Sequence, residues 1–165
     1  MSADDFLHGK LSYTKMPGKK YKLHIHEFAH SSTIKIQYND SVINLYKDSV
    51  FGYSDKEGQL FRFVKGKSYQ VVNPGESIVI YKISTGMGVK NKPVVTTYYF
   101  SRDVFSDVHP LTIADLELVF SDNLKFQELI ELYFRGDNDL REYDQVHKEY
   151  KLNRLLQLSK KPIQN

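Results

Sequence analysis

Between residues 21 and 83 short runs alternate apolar and polar positions with a period of two, the signature of half-buried strands, and Val94 to Phe100 is a β-branched and aromatic run of high strand propensity. The spacing predicts strands over 21–28, 32–38, 42–46, 50–53, 59–63, 68–72, 77–83 and 94–100. Asn39-Asp40 predicts a tight turn between the second and third of these. Asn73-Pro74-Gly75-Glu76 predicts a second turn, with proline presetting its second position and glycine free to take positive φ at its third. Short strands in such number, rich in Tyr and Phe, predict a strongly curved or barrel-like antiparallel sheet.

After His109-Pro110 the period becomes helical. Thr112-Ile113-Ala114-Asp115 reads as a loose capping pattern for a short helix to about Phe120. Ser121-Asp122 is expected to cap a second helix to Phe134 with Phe126, Leu129, Ile130 and Tyr133 on one face. Arg135-Gly136-Asp137-Asn138 ends it and begins a third, longer helix expected to run to about Leu158, on the stripe Leu140, Tyr143, His147, Tyr150, Arg154 or Leu155, and Leu158. The expected fold class is therefore α+β: a β-rich part over 21–100 and two or three packed helices over 112–158. At 165 residues the two parts read as a single composite domain, 1–165.

Composition narrows the chemistry. The chain has no cysteine, which excludes a disulfide framework, a thiol nucleophile and thiolate metal ligation. Lys and Arg outnumber Asp and Glu by 15 to 10 over residues 1–109 and are outnumbered 8 to 10 over residues 110–165, so a mild basic character belongs to the β-rich part. Its lysines, Lys65, Lys67, Lys82, Lys90 and Lys92, are dispersed, a pattern that argues for a solvated surface rather than a nucleic-acid groove. No apolar run reaches membrane-spanning length.

Four constellations carry possible chemistry. His24, His26 and His30 place two imidazoles on one strand face with a third nearby, the donor type and spacing for a divalent metal. His147, three residues after Asp144, is a candidate general base, although its stripe position suits a hydrogen-bonded structural histidine. The glycine-containing segment 84–93 brings Met87, Lys90 and Lys92 between two strands, without the spacing of a phosphate-binding loop. Tyr53 and Phe63 lead a group of aromatic residues, with Phe51, Phe61, Tyr69 and Tyr81, that serves either as core or as a ligand and partner surface. Arg135-Gly136-Asp137 reads as helix termination. None of these requires a cofactor, and none is a recognisable catalytic motif.

The segments Tyr98-Tyr99-Phe100-Ser101-Arg102-Asp103, Pro110-Leu111-Thr112, Phe120-Ser121-Asp122-Asn123-Leu124-Lys125-Phe126 and 143–154, with Phe51-Gly52-Tyr53 and Phe61-Arg62-Phe63 before them, resemble the carboxyl-terminal part of uncharacterised exported proteins of Bacteroidetes. The resemblance covers about the last two-thirds of the chain. It implies a periplasmic or cell-surface location, with a cytoplasmic one as the alternative, and carries no activity or residue role. The expected function is non-enzymatic binding or structural support in the cell envelope, through a protein partner or self-association. The alternatives are a small-ligand carrier with an apolar cavity in the β part, and a hydrolase-like enzyme built on His147 or on the His24/His26 pair.

Overall fold

The computed structural model describes residues 5–6, 10, 21–25, 32–39, 41–86 and 93–161. These belong to two compact units, Met1–Val71 and Val72–Asn165.

In the first unit β1 (Tyr21–Ile25), β2 (Thr33–Tyr38) and β3 (Ser41–Tyr46) form an antiparallel meander in sequence order. Tyr38 pairs with Ser41 across a turn in which Asn39 takes a φ of 50°, a left-handed conformation that asparagine tolerates well. Period-two alternation puts Leu23, Ile25, Ile34 and Leu45 on one face, packed with Val50, Tyr53 and Phe63. The last three come from or precede β4 (Gly52–Ser54) and β5 (Leu60–Val64), which pair antiparallel, as β5 does with β6 (Lys67–Val71). Gly52 is required by close approach: a Cβ there would lie 2.1 Å from the Phe61 carbonyl oxygen.

The second unit begins with the predicted turn, closed by Glu76 N–H donating to the Asn73 carbonyl and with Gly75 at φ 90°. β7 (Val79–Thr85) pairs antiparallel with β8 (Val95–Ser101), and β8 with the two-residue β9 (His109–Pro110). Three helices follow: α1 (Ile113–Val119), α2 (Leu124–Tyr133) and α3 (Lys151–Ser159). Thr112 caps α1 as expected, its hydroxyl accepting from Asp115 N–H at 3.1 Å. Asn123, rather than Ser121 or Asp122, caps α2. Ile78, Ile80 and Phe100 of the strand region bury one face against Leu116, Phe126, Ile130, Leu152, Leu155 and Leu156 of the helices.

The α+β class and the antiparallel pairing are as expected, but the strongly curved or barrel-like sheet is not. The sheets are flat and open, and among the described residues no strand pairing returns the end of a meander to its start. A sheet closes on itself when nothing else covers its apolar face. Here the face of β1–β2–β3 is covered by β4–β5 side chains, and that of β7–β8 by helices, so closure is not needed to bury either.

The long third helix is also corrected. Residues Asp137–Arg141 form a 3₁₀ turn, and β10 (Tyr143–Asp144) pairs with β11 (Glu149–Tyr150) before α3 begins. Asp144 supplies the reason: its carboxylate accepts from the N–H groups of Val146 and His147 at 2.9 and 3.0 Å, and its carbonyl from Lys148, which sits at φ 58°. Such an Asx turn competes with helix at the residue where the stripe continues. Leu140 is buried as the stripe demands, whereas Tyr143 and His147 are exposed.

Candidate functional site

The β7–β8 hairpin divides along its length. At the base Val79, Ile80, Tyr81, Phe100 and Ser101 are buried, and the Tyr81 and Ser101 hydroxyls lie 2.9 Å apart. Toward the other end Pro93, Val94, Val95, Thr96 and Thr97 are all exposed, Val94 and Val95 each to 55%. Alternation would expose every second residue of a strand on a covered sheet. Five exposed in succession mean that neither face of this stretch is covered.

The edge beside it is open as well. β9 reaches only Tyr99 and Phe100, and Leu111 N–H donates to the Tyr98 carbonyl at 3.0 Å. Backbone groups alternate sides along a strand, so those of Tyr98 and Thr96, and of Val94 just before β8, point away from β7. The 3.0 Å contact between the Ser84 and Thr96 hydroxyls agrees, since side chains approach most closely at a pair whose backbone groups do not bond each other. Among the described residues Val94 and Thr96 have no partner on that side. Residues 93–101 contain no charged side chain. Lysine, inward charge and bulges are the usual protections of a sheet edge; among the described residues of this edge only Pro93 stands at its start. What this arrangement can do chemically is donate and accept main-chain hydrogen bonds to another extended chain.

The residues singled out from the sequence fare differently. Tyr53 and Phe63 do come together, ring centres 5.3 Å apart, with Tyr53 stacked on Phe61 at 4.7 Å. Phe63 is buried, and Tyr53 is half-buried with its hydroxyl 3.1 Å from that of Ser68, so the pair packs the first unit's core. Met87, Lys90 and Lys92 lie outside the described residues, as do His26 and His30. His24 is half-buried on β1, paired with the exposed Lys35 of β2. Among the described residues no three His, Asp or Glu side chains gather as a metal site.

His147 does meet Asp144, with Nδ1 2.7 Å from Oδ2, but on an exposed hairpin turn. The His147 backbone N–H, followed by its ring, holds the Asp144 carboxyl below the ordinary aspartate range. An Asp oriented by two backbone donors and an imidazole explains the turn itself. Arg135-Gly136-Asp137 is likewise spent on structure, with Asp137 Oδ1 accepting from Ile113 N–H at the start of α1, 2.8 Å away.

The polar centre the sequence reading missed is built from Asn73, Glu76 and Asn153. Ile78 precedes β7, and among the described residues of the second unit no strand pairs with its buried backbone groups. Asn153 supplies both: Ile78 N–H donates to Oδ1 at 2.7 Å, and Nδ2 donates to the Ile78 carbonyl at 2.9 Å. Asn73 adds a second donor to that carbonyl and accepts from Ile80 N–H at 2.6 Å. Glu76 accepts from Tyr150 N–H at the start of α3, where the N-cap residue has no side-chain bond of its own. Burial pushes the Glu76 carboxyl above its ordinary value, aided by the negative charge of Glu149 and opposed by Asn73 and the Tyr150 N–H. The only sequence signal was an asparagine on the apolar stripe of α3.

Protein-family models, curated proteins and solved structures give no match to this chain, so its site is read from its own residues.

Proposed function

We propose that this is a non-enzymatic binding protein of the cell envelope, and that its second unit receives an extended protein segment on the open edge of β8. The observation that carries the reading is the uncharged, β-branched run Val94-Val95-Thr96-Thr97, exposed on both faces and, among the described residues, unpaired on one side. Strand addition to such an edge draws affinity from main-chain hydrogen bonds and selectivity from alternate side chains. The envelope location rests on the resemblance to exported proteins. Among the described residues no helix is long and apolar enough to cross a membrane.

A photo-cross-linking residue at Val95, introduced in the protein expressed in its native cells, tests this. The reading expects a discrete adduct with a protein at Val95 and none at Gln145, also exposed, on the β10–β11 turn. Equal labelling at both positions would contradict it.

A further inference from the structure

We infer that the segment received at the β8 edge is β8 of a second copy of this chain, paired antiparallel about a two-fold axis at Val95. The inference rests on the edge contact proposed above and goes further by naming its occupant.

The phase of the backbone selects the register. Antiparallel self-pairing about Val95 sets Val94 opposite Thr96 of the partner subunit and Thr96 opposite Val94 of the partner subunit. Both residues turn N–H and C=O toward the open edge, so each facing pair exchanges two main-chain bonds, four in all. An axis at Thr96 would set Val94 against the partner's Tyr98, whose carbonyl already accepts from Leu111 N–H in its own chain. The Val95 axis avoids that conflict, and the pairing ends where β9 begins to cover β8.

Chemistry points to the same occupant. Isologous pairing brings every side chain close to its own copy or a near neighbour, so a charged edge repels itself while an uncharged one does not. Val94, Val95, Thr96 and Thr97 carry no charge, and β-branched side chains suit facing strands. Exposure of both faces leaves room for a second hairpin. At the axis Val95 meets Val95 of the partner subunit at a non-hydrogen-bonded position, where cross-strand side chains are closest.

Sedimentation velocity on the full chain over a concentration series tests this, with Val95→Lys, Val95→Glu and an equimolar mixture of the two. Thermal unfolding of each variant checks that the exposed position leaves the fold intact. The wild type is expected to pass from the mass of one chain to that of two as concentration rises. Each variant alone stays a monomer, and the mixture regains the dimer because opposite charges face across the axis. A wild type that remains monomeric throughout, or a Val95→Lys variant that dimerises as the wild type does, overturns self-pairing. So does a dimer lost instead on changing Tyr46, exposed on edge strand β3 of the first unit. A monomeric wild type that still gives a discrete Val95 adduct with another protein in native cells would sink the second-copy occupant and leave the edge contact standing. Absence of both would remove the two together.

Discussion

The two units solve one problem in different ways. In the first, the apolar face of a meander is covered by other strands and their aromatic side chains, and cations are accommodated among those rings: the Lys47 ammonium lies 5.9 Å from the centre of Phe63 and the Arg62 guanidinium 5.3 Å from Phe51. In the second, helices cover the sheet, and the buried amides of Asn73 and Asn153 satisfy the backbone groups of Ile78 and Ile80. The difference teaches that period-two alternation specifies a strand's buried face without specifying its cover. Only part of β7–β8 lies under helices, and the remainder is the open edge.

This contrast can be broken or sharpened by substitution. The largest effect is expected in the helix-covered core: Phe126, fully buried and edge-on to Phe120 at 4.9 Å, should cost about 3–5 kcal/mol as Phe126→Ala in denaturant unfolding. Next comes Asn153→Ala, which strands the buried N–H of Ile78 and removes one of its carbonyl's donors. A loss of about 2–3 kcal/mol is expected, and a neutral result would show that the amide pair is dispensable.

Gly52→Ala belongs to the first unit, where the added methyl collides with the Phe61 backbone at a cost of about 1–3 kcal/mol. Amide exchange should accelerate in β4 and β5 while the Ile80 and Phe126 amides keep their protection. Equal acceleration in both units would contradict a difference between them.

The smallest effect concerns pH. The Glu76 carboxyl is raised in the folded state, so the folded chain holds that proton more tightly than the unfolded chain. Its contribution to stability is fully present below the ordinary glutamate value of 4.5 and is lost as pH rises through the raised value. Glu76→Gln should flatten this component of a stability profile measured upward from pH 4.5. An unchanged slope would assign the pH dependence to other groups.

Much of the local structure was legible. Alternation and flanking turn signals located β2, β3 and β7, and β-branched and aromatic propensity located β8, each to within a residue or two; Thr112 announced α1, and Asn73-Pro74-Gly75-Glu76 announced its turn. What could not be read were features set by partners distant in sequence. Sheet closure depends on what covers each face. Asn73 looked like a turn former because its bonds to Ile78 and Ile80 require the folded turn, and Asn153 finds Ile78 only when α3 packs beside it. The stripe through His147 was misleading because one aspartate side chain can outbid helix locally. The candidate site was legible as strand but not as edge: Val94 to Phe100 has no alternation to divide exposed residues from buried ones.

Residue-resolved amide hydrogen exchange at β8 tests the account most directly. The Thr97 N–H faces β7 within the hairpin, whereas that of Thr96 faces the open edge. In dilute protein Thr96 should exchange rapidly and Thr97 slowly, with Thr96 gaining protection as concentration rises. Thr96 protected as strongly as Thr97 at the lowest concentration would mean that the edge is already covered within one chain, and would contradict the account.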